Sequence, residues 1–183
     1  MKTLYLIRHG EAAASWDTNP DPGLSDSGRV HAESIVETFS LTEVSSVYSS
    51  PMLRAQETAL PLARSKERSI SLKDTFREIP TPPEMPLAER LSWLKRCAQS
   101  SWEQADPAVM EWRNQILHQV FELPTDSVVF SHFMVMNVVY GFLQQTSSMV
   151  SYQPDYCSVL TLHESDARWC VLDAGIESSS RIL

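Results

Sequence analysis

Apolar positions along the chain repeat at two spacings, and the two alternate from one end to the other. Thr3 to Ile7 is a short apolar run and reads as a buried strand. Ala12 to Asp26 contains Asn19-Pro20-Asp21-Pro22-Gly23 and reads as loop, with Ser25 or Asp26 placed to cap the helix that follows. In that helix Ala32, Ile35, Val36 and Phe39 fall on one stripe at i, i+3, i+4 and i+7. Val44 to Ser49 is the next strand. Ser50-Pro51 then offers a serine N-cap with proline at the first helical position. Pro61, about three turns on, is expected to kink or end that helix.

Ile70 and Leu72 alternate with polar neighbours, a weak strand signal. Pro80, Pro82, Pro83 and Pro86 exclude a regular helix or central strand over this stretch. Helical spacing resumes at Leu87, Leu91 and Leu94 and again at Val109, Trp112, Ile116 and Val120. Ser127 to Ser131 predicts a strand, Met134 to Leu143 a helix, and Ser158 to His163 and Arg168 to Leu172 two more strands. The alternation predicts an α/β three-layer sandwich, with a mostly parallel central sheet and helices on both faces. With no repeat or low-complexity linker, the 183 residues read as one domain, 1–183, in which residues 79–106 form a lid or specificity insertion. Trp93, Trp102 and Trp112 flank the prolines and read first as core or lid packing, second as an aromatic wall facing substrate.

Composition narrows the partners. A net charge of -8 argues against nucleic acid and against anionic membranes, so an anionic substrate has to be met by a local positive pocket. Cys97, Cys157 and Cys170 are few, odd in number and not in CxxC spacing, as expected of reduced thiols in a cytoplasmic protein. The first apolar run is too short for a signal peptide, and no stretch approaches the roughly 20 apolar residues of a membrane span.

Four points carry candidate chemistry. Arg8 and His9, followed by Gly10, stand at the mouth of the first strand: a fixed positive charge beside a nucleophilic imidazole, with a glycine that lets the backbone turn close to an anion. Arg54 lies in the first turn of the helix after the second strand, Glu78 just before the prolines, and His132 directly after the strand that ends at Ser131. Ligands bind at the carboxyl ends of parallel strands, so these points can converge there. His31, His118 and His163 lie outside this set and read as structural or exposed. No cluster has metal-ligand spacing and no GxxxxGK[ST] loop is present, so neither a metal, another cofactor nor an NTPase loop is expected.

The chain resembles the histidine phosphatase superfamily, which includes the cofactor-dependent phosphoglycerate mutases. The matching segments are Arg8-His9-Gly10-Glu11, Asp21-Pro22-Gly23-Leu24-Ser25 with Gly28, Ser49-Ser50-Pro51-Met52-Leu53-Arg54-Ala55-Gln56-Glu57-Thr58-Ala59, Arg77-Glu78, and Ser131-His132. They occur in family order and span nearly the whole chain. The resemblance implies that His9 is the nucleophile and becomes phosphorylated. It implies that Arg8, Arg54 and His132 bind the phosphoryl oxygens. Glu78 would give a proton to the leaving oxygen and then help water attack. Two guanidiniums suit a transition state whose charge spreads over the equatorial oxygens.

Two departures matter. Phe133 stands where the family usually has glycine after the second histidine, which makes it a candidate pocket residue. Ser15-Trp16-Asp17 and Ile79-Pro80-Thr81-Pro82-Pro83 replace signals of the mutases. The expectation is therefore a metal-independent phosphomonoester hydrolase acting on a small phosphorylated substrate. A mutase-type transferase and a non-catalytic phospho-ligand sensor are the alternatives. Sugar phosphates, nucleotides, phosphorylated cofactor precursors and phosphohistidine proteins all remain open as substrates.

Overall fold

The computed structural model describes residues 2–15 and 17–178; Trp16, part of one departure above, lies outside them. Six strands form one sheet: β1 (Lys2–Arg8), β2 (Ser46–Ser49), β3 (Ile70–Leu72), β4 (Ser127–Ser131), β5 (Val159–Ser165) and β6 (Arg168–Asp173). Their order is β3-β2-β4-β1-β5-β6. β1 to β4 run parallel, while β5 is antiparallel to both β1 and β6, so the sheet is mixed. The four parallel strands all end on the same edge.

Alternation along the strands builds two cores. Leu4, Leu6, Val129, Leu160 and Leu162 face α4 (Pro107–Glu122) and α5 (Phe133–Leu143), which contribute Ile116, Val120, Met134 and Val138. Ile7, Val47, Val128 and Phe130 face the other way, against Ile35 and Phe39 from α1 (Asp26–Thr38) and its C-cap and Ala59 and Leu62 from α2 (Leu53–Ser65). All five residues of β4 are buried, because this strand has a neighbour on each side and helices on each face.

Ser25 caps α1 as expected, its Oγ accepting from Gly28 N–H at 3.0 Å. Two expectations about α2 need correction. The helix begins at Leu53, with Met52 as cap residue; Ser50 lies two residues ahead of it, its Oγ accepting from Met52 N–H at 3.2 Å and pairing with His132 Nε2 at 2.8 Å. Nor does Pro61 end the helix, which runs on to Ser65. Interior proline costs about 3 kcal/mol. Ala59, Leu62 and Ala63 on either side of it are buried in the second core, and burying a leucine alone recovers roughly 1.5–3 kcal/mol.

Residues 79–106 contain a 3₁₀ turn at Leu87–Glu89, α3 (Arg90–Ala98) and another 3₁₀ turn at Trp102–Gln104. Trp93, Leu94 and Trp102 are buried in the first core, as is Trp112 of α4, whose indole N–H donates to the Arg77 carbonyl at 3.2 Å. The three tryptophans are therefore core residues. Cys97, Cys157 and Cys170 are free thiols, and no helix of the described residues is long and apolar enough to cross a membrane.

Candidate active site

The chain leaves each parallel strand with one element of the site. Arg8 ends β1 and His9 follows it. Ser50 follows β2, with Arg54 one turn later in α2. A short 3₁₀ turn, Asp74–Phe76, carries the chain from β3 to Glu78. His132 follows β4 and is the N-cap of α5. Parallel register brings all six residues to one edge, although Arg8 and His132 are 124 positions apart in the chain.

The first loop is fixed by close packing. A Cβ on Gly10 would come within 2.8 Å of the Gly28 carbonyl, and one on Gly28 within 2.2 Å of the Glu11 carbonyl. The structural need for Gly10 is thus contact with α1, a different reason from the approach to an anion expected from sequence. Gly10 N–H donates to Thr58 Oγ1 at 2.9 Å. The second motif is also structural: Asp21 Oδ1 accepts from Leu53 N–H at 2.8 Å, at the start of α2, and Glu57 Oε2 accepts from Leu24 N–H.

Arg54 is the hub. Its Nε donates to His9 Nε2 at 3.1 Å and its Nη2 to His132 Nδ1 at 3.2 Å. Since guanidinium can only donate, both histidine nitrogens are acceptors. His9 Nδ1 then carries the proton and donates to the Gly10 carbonyl at 2.7 Å, leaving a lone pair on Nε2. By the same logic His132 Nε2–H donates to Ser50 Oγ at 2.8 Å. Both imidazoles are held well below the ordinary histidine pKa, mainly by burial and next by the Arg54 charge, so both are neutral at pH 7.

Arg8 is clamped differently. Its Nη1 donates to the Pro154 carbonyl at 2.8 Å, and its guanidinium lies 4.3 Å from the Tyr156 ring and 5.3 Å from the Phe133 ring. Among the described residues, Arg8 Nε and Arg54 Nη1 are buried donors with no acceptor. A buried cationic donor without an acceptor is costly, and an anion with several oxygens would satisfy both.

Glu78 is partly buried, and its pKa is raised by that burial against the opposing effect of backbone N–H bonds and the arginines. Its Oε1 accepts from Ile79 N–H at 2.9 Å and from Met134 N–H at 3.2 Å; Oε2 is 3.4 Å from Met134 N. Oε1 is thus occupied by backbone donors, and Oε2 is the oxygen better placed to carry a transferable proton.

Arg8, His9, Arg54, Glu78 and Phe133 all line one cavity of about 340 Å³. His132 does not line it; it stands behind Arg54, its ring centroid 5.2 Å from that of His9. Sequence reasoning overlooked Ser50, read only as a helix cap, and Tyr156, which carries no signal in a single sequence. His31 and His118 are exposed and His163 is half-buried, all away from this cavity. No three His, Cys, Asp or Glu side chains among the described residues are gathered to hold a metal ion.

Comparison with known proteins identifies the family and the fold. The model of the histidine phosphatase superfamily, branch 1, matches residues 4–176. Phosphoserine phosphatase 1 of Hydrogenobacter thermophilus is 33% identical over 87 residues, a match that covers 43% of this chain and 39% of that protein. A solved mycobacterial glucosyl-3-phosphoglycerate phosphatase superposes with a TM-score of 0.75 at 17% identity, covering 97% of this chain and 100% of the other. A phosphoserine phosphatase from Entamoeba histolytica superposes with a TM-score of 0.71 at 20% identity, covering 96% and 97%.

Proposed function

The chain belongs to the histidine phosphatase superfamily, and on that premise we propose that it is a metal-independent phosphomonoester hydrolase working through a phosphohistidine at His9. The observation that carries the reading is the neutral His9, its unprotonated Nε2 held by Arg54 Nε, in the wall of a cavity that two arginines and a protonatable carboxyl also line.

The reaction runs in two displacements. His9 Nε2 attacks phosphorus as Arg54 turns its donors from the imidazole to the phosphoryl oxygens. Arg8 and Arg54 hold those oxygens while charge builds on them. The bond from phosphorus to the leaving oxygen breaks, and Glu78 Oε2 gives that oxygen its proton. The carboxylate so formed takes a proton from water, whose oxygen attacks the phosphohistidine and releases phosphate and neutral His9. The Nδ1–H bond to the Gly10 carbonyl holds the ring throughout. His132 stays neutral behind Arg54 and braces it through the Nη2–Nδ1 bond, so that it holds the guanidinium in place for the phosphoryl oxygens.

Residues 79–106 serve as the specificity cover, since they run on from Glu78 and place Leu94 in the cavity wall. The substrate is a small phosphomonoester used in a cytoplasmic setting. Hydrolysis of an activated aryl phosphate in EDTA, by the natural protein and by His9→Ala, tests the proposal. Turnover lost only in the variant is the expected result. Turnover that persists in His9→Ala, or that requires added metal, overturns it.

A further inference from the structure

The cavity has two chemically different ends. At one, His9 sits between the positive charges of Arg8 and Arg54. At the other, the lining is Ala12, Ala13, Ala14, Pro22 and Leu94, with Ser15 as a polar member. Phe133 and Tyr156 stand beside Arg8 and also face the cavity. Two carboxyls also line it, the proton donor Glu78 and Glu11, an acid that accepts from Ser25 Oγ at 2.7 Å; among the described residues the lining holds no cation besides Arg8 and Arg54. Arg77 and Arg90 line a separate hollow across Arg54 and Glu78, and His9 does not border that hollow. Arg77 is also paired with Asp74 at 2.8 Å.

We propose that this site selects phosphomonoesters whose leaving group carries no negative charge and presents an apolar or aromatic face, with Phe133 and Tyr156 as the selecting wall. The inference deepens the phosphatase reading and rests on it. The phosphoryl group uses the positive charge of both arginines. A second anionic group on the leaving side meets Glu11 and no cation, in a partly enclosed space where like charges are poorly screened. An apolar leaving group meets methyl groups and rings, and its burial is worth roughly 25 cal/mol per Å². Tyr156 and Phe133 do double duty: each offers one part of its ring surface to the Arg8 guanidinium and another to the cavity. Glycine at position 133 would remove one of these walls.

The test compares a matched pair of ligands. Binding of benzylphosphonate and 4-carboxybenzylphosphonate is measured calorimetrically, and hydrolysis of phenyl phosphate and 4-carboxyphenyl phosphate is followed in EDTA. Benzylphosphonate, whose ring side is uncharged, is expected to bind about tenfold or more tightly than the carboxylate. Phe133→Gly and Tyr156→Ala should each narrow that gap by weakening benzylphosphonate. Ala13→Arg, a change at an exposed position of the lining, should narrow it by strengthening the carboxylate. Equal or tighter binding of the carboxylate by the natural protein overturns the proposal. So does a gap unmoved by Ala13→Arg, or no binding of either phosphonate. Carboxylate binding that is lost in Arg90→Ala also overturns it, because the leaving group then lies in the neighbouring hollow. Selective binding without His9-dependent hydrolysis of either ester defeats the phosphatase reading and leaves the selectivity standing. Hydrolysis of both esters with equal kcat/KM defeats the selectivity alone.

Discussion

Arg8, Arg54 and His132 are 3%, 5% and 0% exposed; Trp93 and Trp102, in the segment proposed as the cover, are 8% and 6% exposed. Burial is similar, yet the two regions are held by different forces. The cradle buries charge and retains it through directed bonds: Arg54 to two imidazoles, Arg8 to the Pro154 carbonyl and two ring faces. The cover buries indole and leucine side chains, and its backbone is largely short turns and one nine-residue helix. Directed bonds tolerate little displacement, whereas apolar contact tolerates a good deal. Substitutions in the cradle should therefore alter chemistry, and those in the cover should alter stability and substrate preference.

The sharpest way to break that division is His9→Ala, expected to lower kcat by about 10⁴-fold or more while the protein keeps its fold. Glu78→Gln should lower kcat by about 10²- to 10⁴-fold with an activated ester affected least, because its leaving oxygen needs a proton least. The same variant separates chemistry from stability. Glu78 holds its proton more tightly folded than unfolded, so it costs stability as pH rises from the unfolded value of 4.5 through the raised folded value. Glu78→Gln should thus raise Tm at pH 7 relative to the natural protein; a lowered Tm would show that ionised Glu78 stabilises the fold.

Trp102→Ala addresses the other region. Removing this buried indole should destabilise the protein by about 3–5 kcal/mol in urea unfolding. Activity of the folded fraction toward phenyl phosphate should change far less than in either cradle variant. A large fall in kcat at unchanged secondary structure would mean that cover and cradle are one unit.

A smaller effect is expected from Ser50→Ala, which removes the acceptor of His132 Nε2–H. The loss is about 1 kcal/mol, near fivefold in kcat/KM, and Ser50→Thr should restore most of it. The pH profile is the gentlest probe. Because His9 is held well below 6.5, the acid limb of kcat/KM should fall well below that value, and the alkaline limb, set by loss of the Glu78 proton, should lie above 4.5. An acid limb at 6.5 or higher would show that His9 is not buried between two cations in solution.

Much of the fold was readable from local pattern. The alternation of strand and helical spacing identifies six strands and the main helices, because each element buries a face whose period is set by its own backbone geometry. The start of α2 was not readable: Ser50-Pro51 fits a helix cap locally, and only the approach of His132 from a distant strand turns the serine inward. Pro61 misleads for the same reason, since burial of its neighbours in the second core outweighs a local cost.

The sequence by itself determined the charged groups and the imidazoles of the candidate site, though not Ser50 or Tyr156. The motifs around Arg8, Arg54, Glu78 and His132 name the charges and the proposed nucleophile, because phosphoryl transfer constrains residue type strongly. Tertiary structure alone decided how those groups divide the work. It set the tautomer of each histidine through Arg54, placed His132 behind the cavity, and brought Tyr156 across from the β4–β5 connection to face Arg8. Hydrogen-bond direction and the sign of the nearest charge depend on neighbours that are remote in the chain, and no local spacing encodes them.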